Sequence, residues 1–198
     1  MLEPWIYVPW TLGAYLLGSL SVGDLVARAA GVNIRTIGTG NPGAANIYRE
    51  IGRRYGITVL VLDVLKGAAP TVPLLLLGEP TWTRVLAGGA VLLGHFFPVF
   101  WRYHGSTGMA TGMGVTTGLV AMGALIAAPL ALLVVYITRK AGYAGLLFFA
   151  VTVPLGGLLH WDAVGALAVL AVGAAILIRA RLQYGTWIRP RADGQVQA

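Results

Sequence analysis

The sequence predicts an all-α, polytopic integral membrane protein with about seven short transmembrane helices, its N-terminus outside and its C-terminus in the cytoplasm. The first observation is composition: 57% of the 198 residues are hydrophobic and only 11% are charged, against about a quarter in soluble domains. The second is that the apolar residues form blocks of membrane-spanning size. The third is that the basic residues collect in the connections between blocks, the pattern that sets membrane topology.

Charge and residue types exclude several classes of partner and site. The net charge is +7, but the basic residues lie between apolar blocks, which indicates topology signals and anionic headgroups rather than nucleic acid. There is no cysteine, which excludes disulfides and thiolate metal sites, and the three histidines show no metal-ligand spacing. We therefore expect no nucleic-acid partner and no metal. We expect one membrane domain over residues 1–198, with a mobile tail at about 190–198.

Six apolar blocks follow one another along the chain, at 5–27, 57–77, 84–101, 111–137, 142–159 and 162–178. The first block is too long for a cleaved signal peptide and predicts a retained span. If the N-terminus lies outside, the basic loop 28–56 and Arg102 face the cytoplasm, as the positive-inside rule requires. Single crossings by all six blocks would then leave Arg139, Lys140 and the arginine-rich C-terminal segment outside, against the same rule.

The fourth apolar block removes this conflict if it crosses the membrane twice. It has 27 residues, and the small residues at 122–124 together with Pro129 allow a tight turn within it. Two short segments in place of one span return the later arginines to the cytoplasmic side. Dividing the fourth block therefore predicts seven helical segments. Short half-spanning helices would place backbone ends at depth in the membrane, where a substrate headgroup can use them.

The most unusual stretch for a membrane protein is residues 34–52, which read "IRTIGTGNPGAANIYREIG". Glycine tolerates positive φ, so the "GTGNPG" portion can turn successive backbone N–H groups toward one anion. Hydroxyl, amide and guanidinium groups around it add donors suited to phosphate. The candidate ligands are Arg35, Gly38, Thr39, Gly40, Asn41, Asn46 and Arg49. The alternative is an ordinary flexible loop with topology-setting arginines; no lysine follows the last glycine, which excludes a nucleotide-binding P-loop.

A second glycine-and-hydroxyl turn follows Arg102 on the same predicted face of the membrane. It reads "GSTG" and supplies the further candidates Gly105, Ser106, Thr107 and Gly108. His95 lies shortly before it, in the cytoplasmic half of its helix, and is either a hydrogen-bonded structural histidine or part of the site. His104 is expected to be solvated at the interface.

Two ionisable residues lie inside the second apolar block. Asp63 and Lys66 are three positions apart in "VLDVLKG", close enough to pair across one helical turn. Charged residues within a span are costly and face protein rather than lipid. Either the two form a self-neutralising pair, or Lys66 reaches toward the first glycine loop. Asp24, at the end of the first block, is expected to lie at the membrane interface.

Taken in order, "GVNIRTIGTGNPGAANIYREIG", "LDVLKG" and "GHFFPVF" resemble the motifs of the bacterial acyl-phosphate-dependent glycerol-3-phosphate acyltransferase family. The resemblance covers nearly the whole chain, from residue 18 to residue 186. It implies a bacterial plasma-membrane enzyme with seven short helices and a cytoplasmic active face. It further implies transfer of an acyl group from acyl phosphate to the 1-hydroxyl of glycerol 3-phosphate. The product would be lysophosphatidic acid for phospholipid synthesis, made without metal, coenzyme or obligate protein partner.

The resemblance also implies roles for individual residues. By position, the substrate cradle would include Ser19, Arg35, Gly38, Gly40, Asn41, Asn46 and Lys66, bordered by His95 and the turn at 105–108. Ser19, Lys66 and His95 are the candidates for catalytic groups. Because phosphate is already a good leaving group, positioning and charge neutralisation could supply much of the rate.

Several positions depart from the family pattern. Thr107 stands where the second loop of the family has a lysine, and Gly142 stands where a serine is expected. Near the end of the chain, Ile178 replaces an asparagine and Trp187 replaces a carboxylate. The basic residues that offer a replacement for the missing cation are Arg102, Arg139 and Lys140.

Two other functions stay open. A non-catalytic lipid- or phosphate-binding membrane protein on the same scaffold would explain the lost polar groups. A small transporter for a polar solute is supported only by Asp63 and Lys66, and the chain lacks a two-half repeat. Substrate turnover separates the first alternative from an enzyme, and solute uptake by vesicles tests the second.

Overall fold

The computed structural model describes residues 2–138, 140–160 and 162–184. Across these ranges the chain is helical, with ten α-helices, three short 3-10 turns and no strand. The helices are α1 (Tyr7–Gly18), α2 (Val22–Ala29), α3 (Ala44–Glu50), α4 (Arg53–Ala68), α5 (Val72–Leu76), α6 (Thr81–Phe96), α7 (Met109–Leu119), α8 (Ala121–Thr138), α9 (Ala141–His160) and α10 (Ala163–Tyr184). The all-α prediction is confirmed for this part of the chain, whereas the expected tail at about 190–198 lies outside it.

The outer surface of the bundle is apolar. Leu76, Leu158 and Leu182 are 80%, 70% and 75% exposed, which water would penalise and lipid chains would not. By length and hydropathy, five helical segments of the described chain are able to cross a bilayer: Pro4–Ala29, Thr81–Trp101, Ala121–Thr138, Ala141–Leu159 and Ala163–Tyr184. The shorter helices α4 and α7 pack against each other and against α6, and they carry buried polar residues such as Lys66 and Thr111.

The fourth apolar block is divided into two helices, as predicted, but the break lies at Val120 rather than within residues 122–129. A long-range contact places it there. The Arg84 guanidinium, near the start of α6, donates to the carbonyls of Gly118 and Leu119 at 3.1 and 3.3 Å. These bonds satisfy carbonyls at the end of α7 that have no partner inside the helix. The expected position of the turn was wrong because an arginine from another helix caps α7, while the proline is accommodated inside α8.

Glycines allow two pairs of helices to approach closely. Gly18 and Gly94 lie where α1 meets α6, each against a backbone carbonyl of the other helix. Gly67 and Gly114 occupy the same kind of position between α4 and α7. A Cβ atom at any of the four positions would collide with that carbonyl, so only glycine permits the contact.

We expect Gly114→Ala to lower the free energy of unfolding by about 1–3 kcal/mol, because the new methyl group would meet the Val64 carbonyl oxygen. Gly89→Ala on α6 is the matched control, since a Cβ there would have no atom within 4 Å. Alanine is more favourable than glycine in a helix by about 1 kcal/mol, so the control is expected to stabilise the protein. Unfolding in detergent micelles measures both variants, and equal effects would contradict the close α4–α7 packing.

α1 and α6 run parallel, so their first residues lie together at one end of the bundle and their last residues lie together at the other end. At the start of both helices, the Tyr7 ring packs on Trp82 and the Tyr7 hydroxyl donates to Glu79 at 2.6 Å. At the other end of both helices, the Tyr15 hydroxyl donates to the Phe97 carbonyl at 3.0 Å. Both predicted glycine loops follow this second end, which we call the loop end.

Asp162 joins the turn between α9 and α10 to the start of α6, at the end opposite the loop end. Its carboxylate accepts from the Thr81 hydroxyl at 2.7 Å and from the Gly165 N–H at 2.9 Å, and it lies 3.9 Å from Arg84 Nη2. Burial alone would raise the pKa of Asp162, but these hydrogen bonds and the nearby arginine hold that pKa below its ordinary value. The ionised group therefore stabilises the fold above its unfolded pKa, and this contribution is lost as pH falls through the lower folded pKa.

Candidate functional site

The first glycine loop is held in shape by Asn46. Its Oδ1 accepts from the Thr39 N–H at 3.1 Å, and its Nδ2 donates to the Ile37 carbonyl at 3.3 Å. Gly38 and Gly40 adopt φ values of 57° and 69°, the left-handed region that glycine enters at little cost. Both ends of the Asn46 amide are thus used within the loop, so this residue shapes the loop rather than presenting its own amide to a ligand.

Arg35 is anchored by a buried carboxylate. Its Nε and Nη2 donate to the two oxygens of Asp24 at 2.8 and 2.6 Å, and Nη2 also donates to the His104 carbonyl at 2.7 Å. Asp24 is 3% exposed, so it is buried within the protein, and its expected position at the membrane interface stays a prediction. The ion pair with Arg35 and a hydrogen bond from the Ser21 hydroxyl compensate the buried charge. Arg35 therefore ties the first loop to the second, and its Nη1 makes no hydrogen bond within the described residues.

The two predicted loops meet at Ser106. A Cβ atom on Gly43 would lie 2.9 Å from Asn41 Nδ2 and 3.1 Å from Ser106 Oγ, which places Ser106 against Gly43 of the first loop. Asn41 and Ser106 are buried, and Asn41 Oδ1 has no hydrogen-bond partner in the described chain. A Cβ atom on Gly108 would lie 3.2 Å from His95 Cδ2. The second loop thus lies between the first loop and the buried histidine.

Lys66 is the centre of a buried polar cluster at the loop end. Its Nζ lies 2.8 Å from Asp63 Oδ1, 3.0 Å from the Leu20 carbonyl and 3.0 Å from His95 Nδ1. The predicted pair of Asp63 with Lys66 is confirmed, and among the described residues no hydrogen bond joins Lys66 to the first loop. The ammonium group is thus held by hydrogen bonds to Leu20 and His95 and by the ion pair with Asp63.

The contact with Lys66 fixes which nitrogen of His95 carries the proton. An ammonium group donates and never accepts, so Nδ1 is the acceptor and the ring is neutral, with its proton on Nε2. The Thr111 hydroxyl lies 3.2 Å from the same Nδ1. Nε2 is buried and makes no hydrogen bond to any described residue. His95 is therefore a structural partner through one nitrogen and an available donor through the other.

Ser19 is fully buried beside this cluster, next to the Leu20 carbonyl that Lys66 contacts. Its Oγ donates to the Tyr15 carbonyl one turn earlier in α1 at 2.9 Å. Such bonds back to the helix are a common way for a serine to satisfy its hydroxyl. In this structure Ser19 therefore completes the end of α1, and its hydroxyl is already engaged.

Arg179 contacts the second loop, although its place among the C-terminal arginines indicates only a topology signal. Its Nη2 donates to the carbonyls of Phe96 at 3.0 Å and Gly105 at 3.5 Å, at the start of the second loop. A signal was present in the sequence. Val172, Ile176 and Arg179 follow the i, i+4, i+7 spacing of one helix face, and the first two are buried.

The remaining candidates differ in how far they are buried. Gly40 and Thr107 are half-buried, and Gly105 is buried. The exposed positions are Gly38, Thr39, Arg49, Arg102, Lys140, Gly142, Ile178 and, as predicted, His104. Arg139 and Trp187 lie outside the described residues, so the expectations about them stay predictions.

The arrangement suits an anion. His95 Nε2 from α6 and Arg179 Nε from α10 are both buried and without a hydrogen-bond partner in the described chain. Each of these side chains contacts the second loop, His95 at Gly108 and Arg179 at Gly105. In the described part of the chain, no group of three His, Asp or Glu side chains is placed to hold a metal ion. The chemistry that these residues offer is hydrogen bonding and charge neutralisation toward a phosphate or a developing oxyanion.

The chain resembles known membrane acyltransferases. Residues 8–189 match the family model described as Glycerol-3-phosphate acyltransferase. A glycerol-3-phosphate acyltransferase of Geobacter metallireducens is 50% identical over 58% of this chain and 59% of its own length, so the match spans less than two thirds of that relative. One of Pseudomonas putida (strain W619) is 37% identical over 85% of this chain and 89% of its own.

A solved structure shares the fold. PlsY (YgiH), an integral membrane glycerol 3-phosphate acyltransferase, matches in its glycerol 3-phosphate form with a TM-score of 0.80 at 30% identity, covering 90% of this chain and 92% of its own. Its lysophosphatidic acid form gives a TM-score of 0.76 at the same identity and coverage. The prediction of an all-α integral membrane protein is confirmed by this likeness.

Proposed function

The chain belongs to the glycerol-3-phosphate acyltransferase family, and from that premise we propose that it transfers a fatty acyl group from acyl phosphate to the 1-hydroxyl of glycerol 3-phosphate. The hydroxyl oxygen forms the new ester bond to the acyl carbon. The bond from that carbon to the phosphate oxygen breaks, and the released phosphate takes the hydroxyl proton. The products are inorganic phosphate and lysophosphatidic acid, a precursor of membrane phospholipids.

The observation that carries this proposal is the contact of two glycine loops beside a buried basic cluster. Arg35 bridges the loops, and Lys66 with His95 lies behind the second of them. Both substrates carry a phosphate, and one is tethered to lipid, so a donor-rich cleft at the end of a membrane bundle fits the pair. The solved relative is described in a glycerol 3-phosphate form and a lysophosphatidic acid form, which correspond to a substrate and the product of this reaction.

We assign phosphate binding to the two loops and to Arg35 Nη1, with Arg49 at the rim. The loop residues in this role are Gly38, Thr39, Gly40, Asn41, Gly105, Ser106, Thr107 and Gly108. His95 Nε2–H is the donor placed to stabilise negative charge that develops during transfer, because Lys66 holds the ring in that tautomer. Rate enhancement would then come from positioning and charge neutralisation.

We propose that the chain is a single domain of the bacterial plasma membrane, with about seven crossings and the loop end facing the cytoplasm. The crossings are α1, α4 continued by α5, α6, α7, α8, α9 and α10, which put the N-terminus outside and the C-terminus inside. The charge distribution supports this orientation. Arg35, Arg49 and Arg179 lie at the loop end, whereas the acidic Glu79 and Asp162 lie at the other end. Glycerol 3-phosphate, which is soluble, would enter from the cytoplasm.

A non-catalytic lipid- or phosphate-binding protein is the second candidate. It is favoured by the positions that depart from the family pattern, since Thr107 brings no charge to the second loop and Ile178 is 61% exposed to lipid or solvent. The transporter hypothesis rests only on the charges of Asp63 and Lys66. These two residues form an ion pair, and Lys66 also contacts the Leu20 carbonyl and His95.

We expect the purified protein in lipid to convert palmitoyl phosphate and labelled glycerol 3-phosphate into labelled lysophosphatidic acid. Palmitoyl-coenzyme A in place of palmitoyl phosphate tests the donor, and glycerol in place of glycerol 3-phosphate tests the need for phosphate. Asn41→Ala is expected to lower turnover by about 10²-fold, while Arg53→Ala, an exposed cation of α4, is the matched control. The proposal would be contradicted if the folded protein formed no product from palmitoyl phosphate and none from palmitoyl-coenzyme A. A melting temperature still raised by glycerol 3-phosphate would then favour the binding protein.

A further inference from the structure

Arg179 enters the site from the last helix, on the face that α10 buries. Its Nη2 holds the carbonyls of Phe96 and Gly105 at 3.0 and 3.5 Å, which are the end of α6 and the first residue of the second loop. Its Cζ lies 5.0 Å from the centroid of the Phe97 ring, so the guanidinium packs against the face of this aromatic ring. The charge is therefore fixed against the second loop.

No carboxylate of the described chain neutralises Arg179. Other buried or half-buried cations have such a partner: Arg35 pairs with Asp24, Lys66 with Asp63 and Arg84 with Asp162. Arg179 has carbonyl oxygens instead, and its Nε is buried without a hydrogen bond in the described chain. Withdrawing a cation from water without a counter-ion is costly. An anion bound at this point would supply what the protein itself does not.

The surroundings of the guanidinium are those of an anion site. Gly105 begins the second loop, and Ser106 lies against Gly43 of the first loop. Beyond Gly108 lies His95, whose Nε2–H is also without a partner among the described residues. The Arg179 charge, the His95 imidazole donor and the first glycine loop therefore all border the second loop.

The other cations considered for this role do not reach the second loop. Arg102 and Lys140 are exposed, and the Lys140 ammonium lies 5.2 Å from the centroid of the Tyr143 ring. Arg139 lies outside the described residues. Thr107 itself brings no charge, so within the described chain Arg179 is the cation that touches this loop without being neutralised.

We propose that Arg179 binds a substrate phosphate at the second loop and supplies the positive charge that Thr107 does not. The inference rests on the proposed function and adds a ligand from α10 to it. A guanidinium holds phosphate through several N–H groups at once, and Nε and Nη1 make no hydrogen bond within the described chain. Phosphate is common to acyl phosphate and glycerol 3-phosphate, and varying each in turn identifies which of the two Arg179 holds.

The test compares Arg179→Gln with Arg181→Gln. Both changes remove a positive charge from α10, but Arg181 is exposed. Initial rates are measured with palmitoyl phosphate and glycerol 3-phosphate varied separately. Arg179→Gln is expected to lower kcat/KM by about 10²-fold for the substrate whose phosphate it binds, and Arg181→Gln is expected to stay near the wild type. Indistinguishable kinetics of the two variants would overturn the proposal.

A second pair of variants separates ligand binding from structural support. Adding Thr107→Lys to Arg179→Gln is expected to restore part of the lost rate, because charge returns to the same loop. Arg179→Lys keeps the charge without the planar fork and is expected to fall between wild type and Arg179→Gln. If Arg179→Gln does not fold, Arg179→Lys carries the comparison. A lowered melting temperature with unchanged KM for both substrates, and no repair by Thr107→Lys, would show a purely structural arginine and overturn the proposal.

Binding distinguishes failure of this inference from failure of the proposed function. The melting temperature is measured with inorganic phosphate and with glycerol 3-phosphate, independently of turnover. If the wild type makes no lysophosphatidic acid, the proposed function fails. A rise in melting temperature that Arg179→Gln abolishes and Arg181→Gln retains would still support the phosphate site. No rise in the inactive wild type would overturn the site as well.

Discussion

Replacing Lys66 with methionine is expected to abolish acyl transfer and to lower the free energy of unfolding by about 3–5 kcal/mol. Lys66 and Asp63 are almost fully buried and 2.8 Å apart, so methionine would leave a carboxylate inside the bundle without its counter-ion. It would also remove the donor that keeps the proton of His95 on Nε2. Loss of a fixed cation beside the reacting groups costs about 10²–10³ in rate. Initial rates and denaturation in detergent micelles measure the two effects.

A double variant separates these two effects of Lys66. Lys66→Met together with Asp63→Leu replaces the buried pair by apolar side chains of similar volume, a change that is often neutral for stability. We expect the double variant to regain stability and to remain without acyl transfer. Turnover that returned along with stability would show that Lys66 serves the fold alone, contrary to this prediction.

Asp24→Asn is expected to lower kcat/KM for a phosphate substrate by about 10²-fold, although Asp24 itself is placed to touch only protein groups. The two oxygens of Asp24 hold Nε and Nη2 of Arg35, and an amide would present an N–H₂ group to one of those donors. Arg35 would then leave the position in which it joins Asp24 to the His104 carbonyl. The loss of stability should fall below the 3–5 kcal/mol of a fully buried pair, because Arg35 is 29% exposed.

Asp162→Asn is the matched control for Asp24→Asn. It also removes a carboxylate that lies beside an arginine, but at the end of the bundle away from the loops. We expect it to lower the melting temperature and to leave the KM values unchanged. A similar loss of kcat/KM in both variants would mean that the effect of Asp24→Asn is general destabilisation rather than misplacement of Arg35.

Hydropathy and charge predicted the helical part of the fold because both are local properties of the chain. The fourth apolar block was too long for one span and was expected to divide, which it does. The position of the division was missed, because it depends on Arg84 donating to the carbonyls of Gly118 and Leu119 from another helix. Gly123 and Ala124 are buried within α8, and Pro129 lies inside the same helix, so the small residues and the proline are compatible with a continuous helix.

The candidate site was predicted in part. The glycines indicated the positions of both loops, and the two loops lie close together where Ser106 meets Gly43. The sequence predicts Asn46 as a ligand, whereas in the structure both ends of its amide bond within the first loop. Arg179 was missed because its charge was read as a topology signal, although its spacing from Ile176 puts it on the buried face of α10.

Composition, block length and glycine placement are read residue by residue, and they are enough to predict an all-α membrane protein with two glycine loops. Which charges remain available at the loop end depends instead on how the helices pack. Asp24 neutralises Arg35, Asp63 neutralises Lys66, and Arg179 meets no carboxylate in the described chain. The physical reason is that the cost of a buried charge depends on the atoms within a few ångströms of it, and the neighbours of Arg179 come from helices distant in the sequence.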